Sequence, residues 1–155
     1  MVIRKLQTCF RLSTLERRLA LKSMVLVAFV RLGLWLLPFR VMQRIGEHGG
    51  RARRGRRGDQ PGTQEIAWAV QLASRYVPCA TCLVQALAAQ ILLGRHGYSG
   101  EVHIGVARDA KRGFRAHAWV KSQGKVLLGG SKELDSYAPM LVLDANSPHD
   151  QLKHT

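Results

Sequence analysis

Residues 13–45, STLERRLALKSMVLVAFVRLGLWLLPFRVMQRI, carry apolar side chains at helical spacing. Leu15, Leu19, Leu21, Val25, Phe29 and Leu32 keep a stripe along this segment. Ser13 followed by Glu16 has the spacing of a capping box, and Pro38 predicts a stop or a kink. The stretch EIAWAVQLASRYV repeats the helical period, with Ile66, Val70 and Leu72 on its apolar side. After PCAT, a second helix of this part is expected from Cys82 to about Arg95. Leu83, Val84, Leu87, Ile91 and Leu92, with alanines between, make it apolar nearly all round, which predicts a central, buried helix. The period then falls to two. EVHIGVA sets Val102, Ile104 and Val106 against Glu101, His103 and Gly105. FRAHAWVK sets Ala116, Ala118 and Val120 against Arg115, His117 and Trp119. SQGK reads as a turn, VLLGG as a third strand and APMLVLDA as a fourth. Helices followed by an antiparallel meander predict an α+β domain.

At 155 residues and 46% apolar composition, the chain is long enough for one compact domain with its own core. Its charge is unevenly spread. Residues 1–58 hold 14 Lys and Arg against Glu16 and Glu47, a balance of +12, while residues 59–155 hold ten against eight, a balance of +2. The organisation expected is an N-terminal helical segment (1–45), a basic linker (46–64) and a nearly neutral domain (65–155). The linker is rich in glycine and carries five arginines between Arg51 and Arg57. No aromatic residue is interleaved with them for base stacking, so a solvated loop is expected and no nucleic-acid partner. The stretch from Met24 to Phe39 raises a membrane question, but Lys22, Arg31 and Arg40 leave no uncharged run long enough to span. The helix is expected to dock on the domain, with a membrane surface as the alternative. No secretory signal stands out, and a reducing cytoplasm is the expected location.

Three cysteines, Cys9, Cys79 and Cys82, are too few and too unevenly spaced for a disulfide framework. Cys79 and Cys82 form a CxxC. A thioredoxin-like redox pair would follow a strand, whereas here a helix is expected before the motif. A zinc site would need two more ligands at metal spacing, and His96, His103 and His117 do not provide that spacing. No metal or cofactor is therefore expected. The remaining reading takes Cys82 alone. At the first turn of a buried helix, the macrodipole and free N–H groups favour a thiolate and can hold an oxyanion. His117, mid-strand beside Trp119, is a candidate base. On spacing alone, a catalytic pair and a small core cysteine with a half-buried sheet histidine remain equally open.

Taken together, TCLVQALAAQILLGRHGYSGEVHIGVARD and FRAHAWVKSQGKVLLGG resemble the transglutaminase-like leader peptidases of lasso peptide biosynthesis, the B proteins in their catalytic, stand-alone form. The resemblance extends to an apolar front ending in LLPFR and a variable linker. It implies a papain-like or transglutaminase-like cysteine protease core, with Cys82 as nucleophile, His117 as catalytic histidine and Cys79 outside the chemistry. It further implies removal of the leader from a ribosomally made precursor, delivery of that precursor by a separate leader-recognition protein, and a macrolactam-forming synthetase as the next enzyme. Some members carry an Asp twelve residues after the histidine; here that position is Gly129. Glu133 and Asp135 are the acids closest in sequence to the turn-linked strand and are the candidates for a third member, with a dyad completed by a backbone carbonyl as the alternative. A non-catalytic scaffold that binds the precursor or the synthetase stays open as the second function, and acyl transfer would use the same residues.

Overall fold

The computed structural model describes residues 14–36, 38, 61–109, 113–130 and 134–144. The capping-box serine Ser13, Cys9, Glu133 and residues 46–60 of the linker lie outside these. Among these residues three helices precede the sheet: α1 (Thr14–Leu36), α2 (Thr63–Ser74) and α3 (Cys82–Arg95). Four strands follow, β1 (Glu101–Asp109), β2 (Gly113–Ser122), β3 (Lys125–Leu128) and β4 (Ala138–Asp144), with a short 3-10 turn at Leu134–Ser136 before the last. The α+β class expected from the two periodicities is the observed one. The first helix ends at Leu36, just before Pro38, where a stop or a kink was expected. The next starts at Thr63, inside the expected linker, where the Glu65 carboxylate accepts from the Gly62 N–H at 2.9 Å.

The sheet is not a simple meander. Its order is β3-β2-β1-β4, antiparallel throughout, so β4 passes back to pair with β1 rather than adding beside β3. The register explains the crossing. Leu143 lies opposite Val102 and Leu141 opposite Ile104, so β4 extends the apolar face that β1 already presents to the helices. Gln90, buried within α3, fixes that placement by donating to the Gly100 and Leu143 carbonyls at 3.1 and 2.8 Å.

α3 packs against α1 and α2 on one side and the sheet on the other. Val84 and all residues from Ala86 to Gly94 are buried, as expected for a helix apolar all round. Val102, Ala118, Val120 and Leu128 close the core from the sheet side. α1 also docks on the domain, but not through the expected stripe. Its buried face is Leu19, Ser23, Leu26, Val27, Val30 and Gly33. Of the stripe, only Leu19 is buried; Leu15, Leu21, Val25, Phe29 and Leu32 are more than half exposed. The reason is that α1 is apolar on two faces, and the face bearing the small residues Ser23 and Gly33 allows the closer approach to α2 and α3. The Ser23 hydroxyl returns its hydrogen bond to the Leu19 carbonyl at 2.8 Å, so its burial leaves no donor unpaired.

Candidate active site

The CxxC spans the junction from loop to helix. Thr81 is the N-cap of α3, and its hydroxyl accepts from the Val84 N–H at 3.4 Å. The Gln85 N–H reaches the Thr81 carbonyl at 3.1 Å, while its side-chain amide donates to the Ala80 carbonyl, also at 3.1 Å. These bonds hold the incoming loop against the first turn. Cys82 is consequently the first helical residue, half-buried at the edge of the core. Its N–H and that of Leu83 belong to the first turn, where no earlier carbonyl of the helix can reach them. Cys79 sits differently. It is exposed and lies in the loop with a φ of +58°, a left-handed conformation unusual for a side chain other than glycine's. Both are free thiols.

His117 lies in β2, opposite Gly105 of β1. Strand alternation sends Ala118 and Val120 into the core and leaves His117 and Trp119 on the other face. There the imidazole stacks on Trp119, with ring centroids 6.3 Å apart, and meets Tyr137 at 5.5 Å. Trp119 is itself buried and stacks on His103 at 5.6 Å. Gly105 makes room for it, since a Cβ there would come within 2.9 Å of the indole.

His117 Nε2 lies 2.8 Å from the Gly129 carbonyl oxygen. A carbonyl only accepts, so Nε2 carries the proton and, in the neutral ring, Nδ1 keeps the lone pair. One main-chain oxygen thereby selects the tautomer and orients the ring, which is the positioning job an acid does in a catalytic triad. Gly129 has a φ of +75°, and a Cβ there would sit 2.7 Å from the Ala118 carbonyl. No side chain, and so no carboxylate, fits at this position without moving the strand beside it.

Of the expected site residues, the structure brings His117 together with Gly129, Trp119 and Tyr137. Among the described residues no hydrogen bond joins Cys82 to His117. Asp135 lies in the 3-10 turn, with its side chain outside the described part; Tyr137, two residues on, reaches the imidazole. The Glu101 carboxylate is engaged by His103 Nε2 at 3.1 Å rather than by His117. Among the described residues, no three His, Cys, Asp or Glu side chains converge as a ligand set for a metal.

Tyr137 carries no sequence signal, because it stands alone before a strand, outside any periodic run. The turn residues SQGK, which fold β3 back along β2, were the available signal that residues near 129 reach His117. Compared with known protein families, residues 23–142 match the pattern described as the transglutaminase-like superfamily. No curated protein and no solved structure matches the chain.

Proposed function

The chain belongs to the transglutaminase-like superfamily, and from that premise we propose that it is a cysteine peptidase that removes the leader from a lasso peptide precursor. Membership is compatible with cysteine-peptidase chemistry; the lasso precursor is suggested by the resemblance of the Cys82 and His117 segments to the B-protein peptidases. The observation that carries the catalytic part is the hydrogen bond from His117 Nε2 to Gly129, which leaves Nδ1 as the base.

In this reading the Cys82 thiol gives its proton to Nδ1 and its sulfur attacks the carbonyl carbon of the bond joining leader to core. The first-turn N–H groups of Cys82 and Leu83 face the developing oxyanion. The tetrahedral intermediate collapses, His117 protonates the leaving amine of the core peptide, and the leader remains as a thioester on Cys82. Water, deprotonated by the same nitrogen, then releases the leader as a carboxylate and restores the thiol. The chemistry requires Cys82 Sγ to come within hydrogen-bond reach of Nδ1, a contact that in free enzymes is commonly long and tightens with substrate bound. A separate recognition protein delivers the precursor, a synthetase consumes the released core, and the reaction takes place in the cytoplasm.

A specific observation favours a second reading, a non-catalytic scaffold for the precursor or synthetase. Ala118 and Val120 lie in the core with α3, whereas strand alternation puts His117 on the opposite face of β2, and among the described residues no hydrogen bond joins it to Cys82. Mixing the full chain with a lasso precursor and its recognition protein, followed by mass spectrometry, separates the two. The peptidase reading expects leader release that disappears in Cys82→Ala and largely persists in Cys79→Ala. Precursor binding without release would leave the scaffold.

A further inference from the structure

The outward face of α1 is a feature that the site chemistry does not use. Leu21, Val25, Phe29, Leu32 and Leu36 recur every three or four residues, so they fall on one line along the helix. The line rises about 1.5 Å per residue, roughly 22 Å from end to end. Trp35, 73% exposed, stands beside its C-terminal end. Arg17, Arg18 and Lys22 are exposed at the N-terminal end. A soluble surface rarely leaves so long an apolar line uncovered without a partner for it.

We infer that this face of α1 lies on an anionic lipid bilayer, parallel to its surface. Three observations select that occupant. First, the cations border the apolar line, and the first 58 residues carry a balance of +12, which complements anionic headgroups. A second copy of the chain would set the same positive charge against itself. Second, a shallow groove of about 460 Å³ beside the line is lined by Leu21, Val25, Leu26 and Phe29, with Lys22 and Arg95 also bordering it. That arrangement suits an acyl chain under an anionic headgroup. Third, despite Lys22 and Arg31, α1 is by length and composition apolar enough to cross a membrane, with mean hydropathy 1.8 over an 18-residue stretch, yet 33% of that stretch is buried in the fold. Val27 and Val30 are fully buried in the core shared with α2 and α3. Crossing would tear them out, whereas lying flat buries the exposed face and leaves the core intact.

The test is co-sedimentation of the full chain with vesicles of phosphatidylcholine alone or mixed with phosphatidylglycerol. Binding to the mixed vesicles is expected to exceed binding to the neutral ones at least tenfold and to weaken with salt. Arg17→Gln and Arg18→Gln should each lower it about fivefold. Val25→Glu with Phe29→Glu should lower it at least tenfold while thermal unfolding stays unchanged. Leu32→Ser, a milder change expected to lose about fivefold, decides the matter if the double variant does not fold. Absence of vesicle binding, equal binding to neutral vesicles, or binding indifferent to Val25, Phe29 and Leu32 would overturn the inference. So would light scattering that shows a dimer dissociated by the double variant, which would assign the face to a second copy.

Discussion

α1 and α3 are neighbouring helices of similarly apolar composition that occupy opposite situations. α3 is enclosed by α1, α2 and the sheet, and from Ala86 to Gly94 it has no exposed residue. Among the described elements α1 packs on α2 and α3 through one face and turns Val25, Phe29 and Leu32 outward. Apolarity alone therefore does not tell whether a helix is a core element; the number of sides covered does. For α3 there is no choice of face. For α1 there are two apolar faces, and packing selects the one with Ser23 and Gly33.

The sharpest test of this contrast is stability. Leu92→Ala in α3 should cost about 3 kcal/mol, because a fully buried leucine leaves a cavity that the surrounding helices and sheet cannot fill. Denaturant unfolding measures it, and a loss below about 1 kcal/mol would mean that α3 is not the packed centre. Next in size is Gly129→Ala, which carries the comparison to the sheet, where a backbone rather than a side chain does the positioning. With its φ of +75° and the Ala118 carbonyl 2.7 Å from the new Cβ, the expected cost is about 2 kcal/mol. If Gly129 orients His117, leader release should also slow, with kcat falling more than KM rises. Unchanged kcat in folded protein would show that this carbonyl is structural only.

In α1, Val25→Ser should change unfolding by less than about 0.5 kcal/mol, since the side chain is already in solvent. A loss approaching that of Leu92→Ala would mean that something covers the outward face in solution. The smallest effect expected lies at the junction of the two helices. Burial, with Lys22 and Arg95 nearby, holds His96 below the ordinary imidazole value of 6.5. As pH falls below 6.5 the unfolded chain takes up a proton that the folded one resists, so stability declines through that window and is regained as pH rises. His96→Gln should flatten this part of the profile of melting temperature against pH; an unaltered slope would place the titration at other groups.

The local setting of Cys82 and His117 was legible before the fold. The bounds of α3 follow from its apolar run and the loop before Cys82, and strand alternation already paired His117 with Trp119 and set both against Ala118 and Val120. The third partner of His117 was less accessible. Asp and Glu can be searched for in a sequence, but a backbone carbonyl belongs to every residue, and only the return of β3 along β2 brings that of Gly129 to Nε2. Tyr137 was hidden for a related reason, because its contact depends on the path of the chain from β3 to β4 across the sheet.

The sequence by itself determined the α+β class, the buried status of α3, the two faces of β1 and β2, and the place of Cys82 at the start of α3. All of these rest on local periodicity or on neighbours within a few residues. Only the tertiary structure decided that β4 joins β1, that the apolar stripe of α1 points outward, and that a main-chain oxygen holds His117. Those outcomes depend on contacts between residues distant along the chain, where competing apolar surfaces are ranked by how closely they fit, and periodicity carries no record of that competition.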